Sequence, residues 1–213
     1  MIDRLRSSGW ISYTFDGDDL GAHLISVATQ LGFPVAARRR KSPLEVLTPV
    51  AREKAKPSSP SRMFGLGALP LHTDTAHWIE PCRYIVLGCV SPGLCGRRTV
   101  LADSSLLNFS TGARRLLQDS QFRVVNGRKS FFAPVIGPNY TFFRFDKACM
   151  VPIDARSRAA LEAMDRAISD LQFEQVDWIK GQVLVMDNWR ILHGRTNPVG
   201  SGGGRVLERV LVQ

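Results

Sequence analysis

Hydrophobic positions along the chain recur at two periods. Trp10–Phe15 reads as a short strand. Asp18-Asp19 then offers a helix N-cap, and Leu20, Leu24, Val27 and Leu31 follow at helical spacing. Gly32 closes that helix and Pro34 prevents its continuation. Strands are expected at Val46–Val50, Leu69–Asp74, Tyr84–Val90 and Arg97–Asp103. A helix is expected over Ser104–Gln118 behind an Asp103/Ser104 cap. Four strand-like segments come next: Phe122–Val125, Ser130–Ile136, Thr141–Phe145 and Ala148–Val151. Asp154 caps an amphipathic helix marked by Ala159, Leu161, Met164, Ala167 and Leu171. Gln182–Met186 is a buried strand, Ser201–Gly204 a glycine turn and Arg205–Val212 a closing strand. Arg205 and Arg209 are an even offset apart, so both can face inward while Val206 and Val210 face outward. Short strands with turn signals, one early helix and two inserted ones predict a mainly β jelly roll with flanking helices, a cupin-like double-stranded β-helix.

The length of 213 residues suits a single domain, residues 1–213, with 104–175 as a helical and strand insert. The polar, proline-broken stretch 51–62 is a surface loop that could serve as a lid. No apolar run is long enough for a membrane helix, and the first residues lack the apolar core of a signal peptide; the cytoplasm is the expected location. Cys82, Cys89, Cys95 and Cys149 form no CxxC and read as buried free thiols. The net charge of +9 favours anionic ligands. Its clusters, Arg38–Lys41 and Arg52–Lys56, are not interleaved with aromatics, which argues against a nucleic-acid groove.

Candidate chemistry concentrates in Leu69-Pro-Leu-His-Thr-Asp-Thr-Ala-His77. In an extended strand His72 and Asp74 point the same way and can offer an imidazole nitrogen and a carboxylate oxygen to one point. Those are two of the three ligands of a 2-His-1-carboxylate iron(II) site. The third must come from elsewhere; outside this stretch only His23 and His193 remain. His23 sits within the first helix, and His193 follows the strand Gln182–Met186. His77 is an odd offset from His72, which counts against ligation and leaves it a neighbouring or substrate-lining role.

The order His72-x-Asp74, Thr99, His193-Gly-Arg195, Arg205, Arg209, with the segments "LHTD", "DNWRILHGRT" and "RVLERV", resembles the TauD/TfdA family of iron(II)/2-oxoglutarate dioxygenases, in the wider clavaminate-synthase-like group. The resemblance runs from about Asp18 to the C-terminus. It implies that His72, Asp74 and His193 hold Fe(II), with 2-oxoglutarate and O2 as co-substrates. Arg205 would bind the distal carboxylate of 2-oxoglutarate with help from Thr99. Arg209 matches the family's second arginine, near the iron-bound carboxylate or an acidic substrate group. Arg144-Phe-Asp146 resembles the R-[FY]-D of the amino-acid oxygenases, and a plain charge pair explains it equally well. With His77, Asn188 and Arg195 these two make up the candidate substrate and supporting residues. The implied reaction hydroxylates or desaturates an unactivated C–H bond of a small, amino-acid-like or anionic metabolite, with release of succinate and CO2. Two alternatives stay open: a metal-dependent hydrolase on the same triad, and an oxygenase of a nucleic-acid or protein-bound substrate. The chain is short for the family, and a thin cover over the site implies a large substrate or help from a second subunit.

Overall fold

The computed structural model describes residues 2–38, 41–55, 60–200 and 204–213. Parts of the basic run at 38–41, of the 51–62 connection and of the glycine turn fall outside the described residues. In chain order the elements are α1 (Ile2–Ser8), β1 (Trp10–Thr14), α2 (Leu20–Leu31), β2 (Pro34–Val35), β3 (Leu44–Leu47), α3 (Pro60–Phe64), β4 (Leu69–His72), β5 (Tyr84–Ser91), β6 (Thr99–Asp103), α4 (Thr111–Asp119), β7 (Phe122–Asn126), β8 (Lys129–Ala133), β9 (Met150–Pro152), α5 (Ala155–Ser169), β10 (Glu174–Val176), β11 (Gln182–Asp187), β12 (Ile191–Arg195) and β13 (Val206–Val212).

Two antiparallel sheets form the jelly roll. One runs β1-β11-β5-β13-β2, with β3 also on β13; the other runs β10-β6-β12-β4. Strand alternation decides what fills each layer. Ile85, Leu87, Leu184, Met186, Leu207 and Leu211 point between the sheets and meet Leu101 and Ile191 from the second sheet. The intervening Val86, Val183, Val185, Val210 and Val212 point away and are buried beneath Leu24, Val27 and Ala28 of α2. Val210 does face outward, as its parity requires, but under a helix rather than into solvent. Gly88 lets α2 approach: a Cβ there would lie 2.8 Å from Leu24. With both faces covered, β5 and β11 are apolar at nearly every position. Each fully buried leucine or valine contributes about 1.5–3 kcal/mol.

The outer face of the second sheet, through Ala102 and Leu192, packs on α4, α5 and a small sheet β8-β7-β9 that carry Leu117, Phe122 and Met164. These elements fall within residues 104–175, and Glu174–Val176 pairs with β6 as core strand β10. The caps of α2 and α5 are those expected: Asp19 accepts from the Ala22 N–H, and Asp154 forms a capping box with Ser157. The single helix expected over Ser104–Gln118 is two pieces. Asp103 caps a short 3-10 turn, and Ser110 starts α4 afresh. Thr141–Phe145 is no strand, apart from one bridge between Phe143 and Ile136. Among the described residues no helix is long and apolar enough to cross a membrane.

Candidate metal and co-substrate site

The site lies between the two sheets, near the edge formed by β4. His72 and His193 are direct cross-strand partners on β4 and β12, and their ring centroids lie 4.4 Å apart. Gly194 makes this approach possible, because a Cβ there would sit 2.6 Å from the Leu69 carbonyl oxygen. The pairing is irregular between His193 and Arg195, a bulge beside His193.

Asp74 reaches the same place by a different route from the one expected. β4 ends at His72, and residues 74–77 form a turn, so simple strand alternation does not carry Asp74 or decide the direction of His77. The turn is fixed by its own hydrogen bonds. Thr75 adopts φ 54, a left-handed conformation unusual for a β-branched residue, and donates its N–H to Asp74 Oδ1 at 2.9 Å. Asn188, 1% exposed, accepts from the Asp74 N–H and donates to the carbonyls of Asp74 and Cys82. This ties the β11–β12 turn to the turn after β4. Asn188→Ala would leave three buried backbone groups without partners, each costing about 1–3 kcal/mol. A fall in unfolding free energy of about 3 kcal/mol or more is expected, measured by urea titration.

Electrostatics set the protonation states. Burial raises the Asp74 carboxyl, but Arg209, foremost among the opposing groups, brings it to about 2. Burial pushes His193 down to about 3, with His72 acting in the same direction against Asp74. At neutral pH the pair is therefore a carboxylate and a neutral imidazole, the forms that ligate metal. Arg209 reaches Asp74 Oδ2 through Nη1 and Glu45 Oε2 through Nη2, the latter at 2.5 Å. Glu45 is the cross-strand partner of Arg209 on β3.

The donor set fits a ferrous ion. His72 Nδ1 lies 3.0 Å from the Pro70 carbonyl, an arrangement that assigns its proton to Nδ1 and frees Nε2 as a donor. His193 keeps a buried Nδ1 without a partner. A carboxylate has about four lone-pair sites, and Thr75 and Arg209 occupy two of those of Asp74. Among the described residues no three His, Cys, Asp or Glu side chains stand already arranged as a metal cage. The Asp74 carboxylate is engaged by Arg209 through Oδ2.

The low His193 value has a consequence for the metal-free protein. Below pH 6.5 the unfolded chain takes up a proton that native His193 refuses. Stability is therefore full above pH 6.5 and falls with pH, by up to about 1.4 kcal/mol per unit, until the native value near 3. Denaturant titrations between pH 7.5 and 5 should show this slope, and His193→Gln should flatten it. Asp74 adds to the loss only below about pH 4, again as pH falls.

Toward the far ends of β6 and β12 lies a cluster of buried cations. Thr99, buried, pairs with Arg195 across the sheet, and its Oγ1 accepts from Trp178 Nε1 at 3.0 Å, leaving its own hydroxyl hydrogen to donate. Arg205 is 6% exposed and its guanidinium lies 5.6 Å from the centre of the Trp178 ring. It donates to the Arg97 carbonyl at 3.2 Å, and its buried Nε has no partner. Burial first, then Arg195, lowers it to about 10. Among the described residues no carboxylate pairs with it.

The remaining candidates serve mainly as braces. Arg144, almost fully buried, donates to the carbonyls of Ala76, Trp78 and Ile79, clamping the chain after Asp74; among the described residues it forms no surface charge pair, and its buried Nε has no partner. Arg195 donates to the Gly65 and Gly67 carbonyls. Asp146 accepts from the Ala148 N–H and, with His72, Pro70 and Lys147, lines a narrow cleft beside the ligands. His77 is held below its usual value by burial, with Asp74 and Asp146 both near enough to oppose this. A cleft of about 360 Å3 lies elsewhere, around Phe109, Tyr140, Phe142 and Trp189, and none of His72, Asp74 and His193 lines it. Glu45, Thr75, Arg97 and Trp178 escape sequence reasoning. A single acidic residue in "LEVL" and a lone tryptophan carry no spacing signal, and only the pairing partners reveal them.

The family model of the taurine catabolism dioxygenase TauD, TfdA family matches residues 114–211, which include His193, Arg205 and Arg209. Clavaminate synthase 2 of Streptomyces clavuligerus is 28% identical over 162 residues, 68% of this chain and 50% of that protein. Human mitochondrial trimethyllysine dioxygenase is 28% identical over 159 residues, 60% of this chain and 37% of that protein. The chain thus spans half or less of the curated relatives it matches. Asparagine oxygenase, solved with Fe(II), 3-hydroxyasparagine and succinate, superposes with a TM-score of 0.78 at 21% identity over 99% of this chain and 77% of its own. The non-heme iron oxygenase OrfP, solved with Fe and alpha-ketoglutaric acid, gives 0.78 at 18% identity over 99% and 79%. The jelly roll is therefore the fold shared with these oxygenases, and the sequence over residues 114–211 is similar to the TauD, TfdA family.

Proposed function

We propose that this chain is an Fe(II)- and 2-oxoglutarate-dependent oxygenase that hydroxylates, or desaturates, an amino-acid-like small molecule. The observation that carries the proposal is the pairing of His72 with His193 across β4 and β12, with Asp74 in the same charge network and the uncompensated Arg205 beyond. His72, Asp74 and His193 would hold the metal on one face. When bound, Fe(II) and 2-oxoglutarate supply the dioxygen chemistry that oxidises a C–H bond and yields succinate and CO2. Arg205 would receive the distal carboxylate, since a guanidinium stays charged and binds carboxylate with its planar fork. Thr99 would donate its hydroxyl hydrogen to the same group. Arg209, held by Glu45, would orient Asp74. The layer of leucines and Trp178 between the sheets excludes water from the site.

For the substrate, the Asp146 carboxylate in the His72 cleft offers an acceptor suited to an ammonium group, and the neutral His77 imidazole, near Asp146, offers a second. The solved relatives that carry 3-hydroxyasparagine or (3S)-hydroxy-L-arginine support the amino-acid class. Four buried free cysteines and a reduced metal suit a reducing compartment, the cytoplasm. The test is succinate formation across a panel of amino acids with Fe(II), 2-oxoglutarate and O2. One or a few members should stimulate it, and Asp74→Ala should abolish the stimulation. Succinate that no amino acid stimulates, or that survives Asp74→Ala, would refute the proposal.

A further inference from the structure

Three guanidiniums cluster at the end of the co-substrate site: Arg97, Arg195 and Arg205. Arg97 and Arg205 are each 6% exposed, and Arg195 is half-buried. Among the described residues none forms an ion pair with a carboxylate. Buried like charges repel, and a buried cation without a counter-ion is costly. Each instead donates to backbone carbonyls, and those carbonyls trace a path. Arg205 donates to the carbonyl of Arg97. The Arg97 side chain donates Nε and Nη2 to the carbonyl of Leu66, at 3.2 and 2.7 Å. Arg195 donates Nε to Gly67 at 3.1 Å and Nη2 to Gly65 at 3.0 Å. Asn197 Oδ1 accepts from the Ala68 N–H at 2.8 Å. Residues 65–68 are thus held by side chains from the β6 and β12 ends of the site. They lead directly into β4 and His72. On their other side they join α3 and the turn at Arg52, to whose carbonyl Arg62 donates at 3.2 Å.

We infer that Arg97 and Arg195 are positioning residues that couple occupancy of the co-substrate site to the placement of residues 65–68, and through them to β4 on one side and to α3 and the turn at Arg52 on the other. This rests on the assignment of Arg205 to the distal carboxylate made above. Arg97 and Arg195 touch no reacting atom. An arriving carboxylate supplies the missing negative charge, relieves the repulsion among the three guanidiniums and firms their grip on the Gly65, Leu66 and Gly67 carbonyls. A 2-oxo acid without a distal carboxylate leaves the cluster uncompensated and the grip unchanged.

The test is limited trypsin digestion with Mn(II) in place of iron, following cleavage after the exposed Arg52, Lys54 and Arg62 relative to Arg114 on α4. Binding of 2-oxoglutarate is measured by calorimetry on the same samples. In the wild-type protein 2-oxoglutarate should slow cleavage in 52–62 by about fivefold or more, the scale of ordinary coupling between sites, and saturating pyruvate should not. Arg97→Gln should still bind 2-oxoglutarate but lose the protection, and Arg97→Lys should restore part of it. Binding of 2-oxoglutarate without protection, equal protection by pyruvate, or full protection in Arg97→Gln would overturn the coupling while leaving the oxygenase assignment intact. Absence of 2-oxoglutarate binding would overturn both. Should Arg97→Gln fail to fold, the wild-type comparison of the two oxo acids remains decisive.

Discussion

His193→Ala is expected to fold and to lose its divalent metal. The imidazole is one of three donors, and even outer partners of a metal site change affinity by about 10–100-fold, so loss of a ligand should exceed about 100-fold. Calorimetric titration of Mn(II) or anaerobic Fe(II) reads this directly. The metal-free variant should unfold close to the wild-type midpoint at pH 7.5. It gives up packing of a buried ring but also removes the partnerless Nδ1. This combination separates a ligand from a core residue: a structural histidine would cost stability whether or not metal is present. His23, by contrast, stacks on Phe15 at 4.0 Å and lies 3.0 Å from the Tyr13 hydroxyl, so His23→Ala should leave metal binding untouched.

Arg205→Ala should raise the dissociation constant for 2-oxoglutarate by about 10²–10⁴-fold, since leaving one member of a buried charge pair alone costs about 3–5 kcal/mol. Its effect on the ligand-free protein should have the opposite sign or be small. Arg205 repels Arg195 and Arg97, its Nε is unsatisfied, and removing it relieves both penalties. Thr99→Val should act in the same direction more weakly, by about tenfold, the loss of one hydrogen bond to a charged group. A Kd for 2-oxoglutarate unchanged in Arg205→Ala would place the distal carboxylate elsewhere.

How much of this was legible in the sequence depends on the length scale of each signal. The helices α2 and α5 carried their caps and apolar faces locally, so their starts were readable to within a residue. The strands β5 and β11 announced themselves by apolar runs, because both faces of their sheet are covered. β12 was not read as a strand; His193 was placed just after one. Ile191–Arg195 is short and mixes an imidazole, a glycine and a guanidinium, residues chosen for the site rather than for strand propensity. His72, Asp74 and His193 were legible through order and resemblance. The reason they approach one another was misjudged, since Asp74 is placed by a turn with Thr75 in the left-handed region and by Asn188, not by alternation along an extended strand. Arg144 and Arg195 were legible as special, but their partners are backbone carbonyls, and hydrogen bonding to a remote main chain leaves no trace in sequence spacing. Glu45 was invisible for a related reason: its meaning lies wholly in its cross-strand neighbour Arg209.

The most direct measurement is anaerobic titration of the protein with Fe(II) and then 2-oxoglutarate, set beside the same titration of the His72→Ala/Asp74→Ala/His193→Ala variant. One equivalent of each should bind the wild-type chain, with 2-oxoglutarate binding dependent on the metal and both lost in the triple variant. A wild-type chain that takes up neither, or a triple variant that binds both undiminished, would contradict the reading of these three side chains as one metal site.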